Sequence, residues 1–96
     1  MIKHVVCFKL KDNSLEKKEE AKKVLLSMTD KVDLIRDIEV GIDFLSSSRS
    51  YDVILTVTLD SKDALEEYQN HPYHCDIVKP YMHAVRESSV AVDYEL

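Results

Sequence analysis

Three of the chain's four histidines and three of its five tyrosines fall in one short stretch of the sequence, residues 67–83. Its letters are EYQNHPYHCDIVKPYMH. Imidazole has an ordinary pKa of about 6.5, so a histidine can take up or release a proton near neutral pH. A tyrosine hydroxyl can donate a hydrogen bond to an oxygen that becomes negatively charged in a dry cavity. The residue types therefore fit proton transfer, metal binding, or a polar junction between two helices.

The spacing of the stretch argues against a metal. Histidines three positions apart, as His71 and His74 are, can share a helix face. Pro72 between them is expected to begin a new turn and to point the two rings in different directions. No second pair of histidines or cysteines completes the tetrahedral set that zinc takes. The sequence therefore predicts no bound metal and no cofactor.

A structural role is also open for most residues of the stretch. Pro72 suits the first position of a new helical turn, which Asn70 or His71 could cap. Tyr68 lies on an apolar helix face, where it could be a core residue with a bonded hydroxyl. For His74 two roles stay open, one in a ligand cavity and one as a hydrogen-bonded structural histidine. The remaining residues have no motif around them and are assigned to the surface or to packing: Tyr73, Tyr81 and His83.

Hydrophobic periodicity predicts the elements that position these residues. Strands are expected at 2–10, 35–44, 51–59 and 88–96, and helices at 13–28 and 60–70. The order β-α-β-β-α-β is the ferredoxin-like pattern, an α+β fold with an antiparallel sheet and both helices on one side. A chain of 96 residues suits a single domain over residues 1–96.

Capping and backbone details follow from individual residues. Asn13 and Glu16 have the spacing of a capping box at the start of the first helix. Asp60 or Ser61 is expected to cap the second helix. The only glycine, Gly41, lies inside the second strand, where it indicates a bulge or a close backbone approach.

The predicted strands have apolar residues on both faces. In the first strand, one face carries His4 among apolar neighbours, which are Ile2, Val6, Phe8 and Leu10. Helices cover only one face of such a sheet, so the other apolar face must be covered by something else. In a chain of this size a second copy is the economical cover, which predicts a homodimer.

Composition excludes several functional classes. The net charge of −5 argues against nucleic acid, which needs a basic surface, and the Lys-rich residues 16–23 alternate in charge as a solvated helix face does. No apolar run reaches the length of about 18 residues that a membrane span needs. The first ten residues lack the pattern of a signal peptide. Cys7 and Cys75 lack CxxC spacing, which predicts free thiols and a cytoplasmic protein.

Several stretches together resemble the stress-responsive dimeric α/β-barrel family. They are MIKHVVCFKLKD at the start, IEVGID, YDVILTVTLDSKDALEEYQNHPYH, and VDYEL at the end. The most specific part is the Tyr-x-x-His-Pro-x-His run, joined to the Lys-His of the first strand. The resemblance spans essentially the whole chain. It implies a ferredoxin-like monomer whose sheet packs against that of its twin, forming a dimeric α/β barrel with a cavity in each half.

One plant branch of this family cyclises linear polyketides by an intramolecular aldol condensation without a cofactor. The resemblance implies that His74 is the general base and that Tyr68 assists it. His4 lines the same cavity in that branch, and Phe8 shares the strand face of His4. Val53 stands where the branch has a further cavity histidine, which is a departure from its pattern. His4, Phe8 and Val53 are therefore expected to line the substrate pocket.

Two functions from different classes stay open. In one, a non-catalytic homodimer binds a small hydrophobic molecule in an apolar cavity or contributes to stress tolerance. In the other, a cofactor-free enzyme, cyclase-like or another lyase or isomerase, uses His74 as a base on a hydrophobic carbonyl compound. Some plant relatives also hold a magnesium ion on backbone carbonyls near positions equivalent to Thr29, Val32 and Ile35. Backbone ligands leave no side-chain pattern in a sequence.

Overall fold

The computed structural model describes residues 1–96 and confirms the α+β, ferredoxin-like prediction. Its strands are β1 (Ile2–Leu10), β2 (Asp37–Ile42), β3 (Val53–Leu59) and β4 (Arg86–Glu95). Its α-helices are α1 (Leu15–Leu26), α2 (Lys62–Gln69) and α3 (Lys79–Val85), with a 3₁₀ turn at Ser27–Asp30 and a π-helix at His74–Val78. Every strand pair is antiparallel and the sheet order is β2-β3-β1-β4. None of the helices has the length and apolar character needed to cross a membrane.

The hydrophobic core lies between one face of the sheet and the helices. Ala21 and Leu25 of α1 and Met28 of the 3₁₀ turn that follows it are almost completely buried. Tyr68 from α2 and Met82 from α3 complete the helical side of the core. The sheet contributes alternate residues of β1 and β3, as a strand with one covered face should.

Serine residues cap the first two helices. Ser14, and not Asn13, begins α1, because its hydroxyl accepts the Lys17 N–H at 3.3 Å. The predicted capping box is therefore wrong: the cap lies one residue later, and the residue three positions after it is Lys17, which cannot complete the box. Ser61, one of the two candidates for α2, accepts a backbone N–H at 3.1 Å, whereas Asp60 turns away from the helix to form an ion pair.

The solvated face predicted for α1 is interrupted by Lys18, which is only 6% exposed. Its Nζ donates to the Asp43 carbonyl at 3.2 Å and lies 4.0 Å from a carboxylate oxygen of Asp52. Asp52 is also buried and accepts the Leu10 N–H at 2.7 Å. The long lysine stem packs its methylene groups inside while its ammonium reaches polar partners, so the charge alternation of α1 was a poor guide at this position.

Replacing Asp52 by alanine should destabilise the fold. The change leaves the Leu10 N–H and the buried Lys18 ammonium without an anionic partner, which is expected to cost about 3 kcal/mol or more. Urea unfolding followed by circular dichroism measures this loss. Asp60→Ala is the matched control, because the Asp60 pair with Arg36 is exposed and should contribute little. Equal losses in the two variants would contradict this account of the buried pair.

Gly41 is explained by a close approach and not by a bulge. The β2–β3 register runs without a shift past Gly41. A Cβ atom added there would lie 3.0 Å from Ile54 Cγ2, tighter than side chains normally pack. The one register shift of the sheet lies between β1 and β4, at Lys9 and Leu10.

The sheet face away from the helices is uncovered within one chain. At its centre, Val5 and Cys7 of β1 pair with Val92 and Val90 of β4. Ile54 lies on the same face and pairs with Cys7 from the other neighbouring strand, β3. Val92 is 63% exposed, Val90 50% and Ile54 41%, so the second apolar face of the predicted strands is not covered in one copy. Cys7 and the chain's other cysteine are both free thiols, as predicted.

Candidate functional site

The histidine- and tyrosine-rich stretch forms a bent connection between α2 and α3. Tyr68 lies in the last turn of α2, and Asn70 ends that helix. His71 Nδ1 accepts the Tyr73 N–H at 3.1 Å, so His71 caps the turn that begins at Pro72. The structure therefore gives His71 the structural role that the sequence left open.

A π-helix then carries His74 back over α2. Such wide turns are rare and are frequent at functional sites. Although Pro72 separates them, the Tyr68 and His74 rings come within 4.9 Å between centroids, tilted by 42°. Pro80 lies at the start of α3, where a proline does not cost a helical hydrogen bond. The bend thus brings together the two residues that the sequence proposed as a pair.

Tyr68 is completely buried, and its hydroxyl is only weakly held. The hydroxyl points to Met28 Sδ at 3.7 Å, and a thioether is a poor acceptor. Burial raises the pKa of Tyr68 well above its ordinary value, so the hydroxyl keeps its proton. A ligand oxygen would be a stronger acceptor than sulfur, which makes this hydroxyl an available donor.

His4 reaches the same place from β1. Its ring meets Tyr68 edge to face at 5.7 Å between centroids. It is 8% exposed, and its Nδ1 is hydrogen-bonded to the carboxylate of Asp93 in β4. The carboxylate fixes the ring and holds the proton on that nitrogen, which leaves Nε2 for other partners. Sequence reasoning missed Asp93, although strand pairing places it directly opposite His4.

His74 carries the one buried polar side-chain atom that has no partner in the structure, its Nδ1. Burial lowers the pKa of His74 below its ordinary value, and the nearby side chains of Lys79, His4 and His71 lower it further, while the Gln69 carbonyl acts in the opposite direction. His74 is therefore neutral at pH 7. A neutral imidazole with a free nitrogen can accept a proton or a hydrogen bond.

These three rings line one cavity of about 540 Å³, a volume typical of sites for small molecules. Much of its wall is apolar and includes Val6, Phe8, Leu55, Val78 and Met82. His4, Phe8, Tyr68 and His74 are thus brought together. Val53 is not: it is buried at the start of β3, beside a second cavity near the β2–β3 loop, and β3 contributes Leu55 to the main cavity instead.

The mouth of the cavity is polar and was not predicted. Lys79, His83 and Arg86 line it together with Ser89 of β4. His83 was assigned to the surface or to packing, and it is indeed exposed, but it also borders the cavity. Lys79, His83 and Arg86 have the spacing of one helix face, but no helix was predicted at 79–85, so the sequence analysis did not group them.

Of the three backbone carbonyls expected to hold an ion after α1, that of Val32 already accepts the Ile35 N–H at 3.2 Å. No group of three or more histidine, cysteine or acidic side chains is placed to hold a metal. The chemistry considered below uses only the chain's own side chains.

The buried His74 should make the fold less stable in acid. Because its pKa is lowered in the folded chain, the unfolded chain takes up this proton at a higher pH. The stability linked to neutral His74 is therefore fully present above its ordinary pKa of 6.5 and is lost as the pH falls through the lower folded value. Urea unfolding between about pH 7 and pH 5 should show a smaller loss in His74→Ala than in the wild type. The other three histidines are present in both proteins, so equal losses would contradict this assignment.

The comparison with curated proteins found no significant match. Among solved structures, a dimeric ferredoxin-like protein of unknown function from Bacteroides fragilis is 29% identical, with a TM-score of 0.80, and the match covers 99% of this chain and 95% of that one. An Arabidopsis thaliana protein is 26% identical, with a TM-score of 0.85 and coverage of 100% and 95%.

A Dabb family protein with a ferredoxin-like fold from Mesorhizobium loti is 26% identical, with a TM-score of 0.76 and coverage of 99% and 95%. The family model of the stress responsive A/B barrel domain (Dabb) matches residues 2–96, which is nearly the whole chain. The family resemblance drawn from the first-strand Lys-His and the Tyr-x-x-His-Pro-x-His run is thereby confirmed. The chain belongs to the stress responsive A/B barrel domain family.

Proposed function

We propose that this protein is a homodimer in which each copy binds a small, largely apolar molecule in the cavity between the sheet and α2–α3. The observation that carries the binding proposal is the meeting of His4, Tyr68 and His74 in one cavity with a partly apolar wall. Such a combination of an apolar wall with a few converging polar groups is the usual composition of a ligand site.

The polar atoms of the cavity support a ligand that carries an oxygen. A buried nitrogen without a partner, such as His74 Nδ1, costs about 1–3 kcal/mol unless something pairs with it. The Tyr68 hydroxyl likewise has only a sulfur atom as its acceptor. A hydroxyl or carbonyl oxygen on the ligand would satisfy these groups.

The dimer proposal is supported by the open sheet face. Its centre is a contiguous apolar surface of the kind that marks an interface, made of the half-buried Val5 and Cys7 and the exposed Ile54, Val90 and Val92. The Bacteroides fragilis protein, which shares the fold over nearly the whole chain, is dimeric. Twofold packing of this face on itself would cover both surfaces at once.

Octanol is a direct probe of the cavity. We expect calorimetric titration to detect octanol binding to the wild type, and Val6→Phe to weaken it at least about tenfold, because the larger ring fills space beside His4. Ile38→Phe is the matched control, since Ile38 is a half-buried strand residue outside the cavity and its variant should bind like the wild type. Failure of octanol to bind the wild type, or equal binding to both variants, would refute the binding proposal.

A second function, cofactor-free base catalysis, is favoured by the contact between the His74 and Tyr68 rings. His74 Nδ1 would take a proton from a carbon next to a ligand carbonyl, and the Tyr68 hydroxyl would donate a hydrogen bond to the enolate oxygen. The enolate carbon could then form a carbon–carbon bond to a second carbonyl carbon, whose oxygen takes up a proton. This is aldol chemistry and needs no metal or redox partner.

A further inference from the structure

The main cavity has a charge opposite to that of the whole chain. The chain has 18 acidic residues and only 13 lysines and arginines, yet none of the 15 residues that line the cavity is acidic. Two cations, Lys79 and Arg86, and the imidazole of His83 lie at its mouth. Asp93, which contacts the lining residue His4, is engaged in that hydrogen bond.

The two cations at the mouth have no anionic partner within the chain. The ion pairs of the structure involve other residues, and neither the Lys79 nor the Arg86 side chain donates a hydrogen bond. By contrast, the exposed Arg36 holds Asp60 with two hydrogen bonds, at 2.9 and 2.6 Å. The Lys79 charge also contributes to lowering the pKa of His74, so it acts on the interior of the site.

From this arrangement we infer that the molecule bound in the cavity is an apolar carboxylic acid, with its carboxylate at the mouth between Lys79, His83 and Arg86. This inference rests on the binding proposal above. A guanidinium donates two parallel hydrogen bonds to a carboxylate, and an ammonium adds a third charge-assisted one. The hydrocarbon part of the ligand would lie against the apolar wall of Val6 and Leu55.

Octanoate and octanol test the inference, because they differ only in the end group. We expect calorimetry on the wild type to give octanoate at least about tenfold tighter binding than octanol. In the double variant Lys79→Gln/Arg86→Gln this preference should disappear, because octanoate binding weakens at least about tenfold more than octanol binding. Adding salt should weaken octanoate binding to the wild type and leave octanol binding nearly constant.

Lys23→Gln/Lys31→Gln is the matched control, because both lysines are exposed and lie outside the cavity. The two substitutions change the net charge by the same amount as Lys79→Gln/Arg86→Gln does. The control variant should keep the preference for octanoate. The inference is overturned if octanoate binds the wild type no tighter than octanol, or if the control loses as much affinity as the mouth variant. If neither ligand binds the wild type, the binding proposal itself fails and the inference fails with it.

Discussion

Val92→Glu should convert the proposed homodimer into a folded monomer. Val92 lies at the centre of the open sheet face, beside Val5, and is 63% exposed in a single chain. A twofold interface contains the substituted residue twice, so two carboxylates would be buried there without partners. Their desolvation should weaken association by at least about 4 kcal/mol, which raises the dissociation constant about a thousandfold or more. Sedimentation equilibrium at micromolar concentration measures the change.

Ala91→Glu is the control within the same strand. Ala91 is also exposed but lies on the opposite face of β4, so its variant should remain a dimer. Circular dichroism should show folded protein for both variants, since neither position is in the core. A wild type that sediments as a well-folded monomer would refute the dimer, and so would loss of dimer in Ala91→Glu alone.

The fold could be predicted because local pattern and tertiary packing agree along most of the chain. Alternation in β1 separates Ile2 and Phe8 from Lys3 and Lys9, and the structure keeps that separation. Ala21, Leu25 and Met28 recur at helical spacing, and all three face the core, as amphipathic spacing indicates. Where a position is decided by its neighbours in sequence, the sequence alone is sufficient.

The details that could not be predicted depend on contacts between distant segments. The His4–Asp93 bond joins the first and last strands, and the burial of Lys18 depends on partners in the β2–β3 loop. The absence of Val53 from the main cavity depends on how far the helices extend along β3, which strand alternation does not specify. The family motif identified Tyr68 and His74, but the cationic mouth became visible only in the folded chain.

His74→Ala separates a working site from a structural junction. Because His74 Nδ1 has no partner to leave unsatisfied, its removal should cost less than about 1 kcal/mol of stability, whereas a structural histidine would cost about 1–3 kcal/mol. If His74 is a base, the wild type should also catalyse deuterium exchange next to the carbonyl of hexyl methyl ketone in heavy water. His74 would remove the proton and return a deuteron to the same carbon. His74→Ala should slow this exchange by about 10²–10⁴-fold, measured by proton NMR.

Tyrosine variants and pH identify the mechanism of that exchange. Tyr68→Phe removes the donor to the enolate and should slow exchange by about 10²–10³-fold. Tyr73→Phe should have little effect, because the Tyr73 hydroxyl bonds Ser27 at 2.7 Å and does not line the cavity. Since the pKa of His74 is lowered, the wild-type rate should rise with pH through a midpoint below the ordinary histidine pKa of 6.5 and then level off. If His74→Ala remains a stable protein and exchanges deuterium as fast as the wild type, His74 is not the base and the enzymatic function loses its support. The binding proposal is tested separately, by the octanol titration.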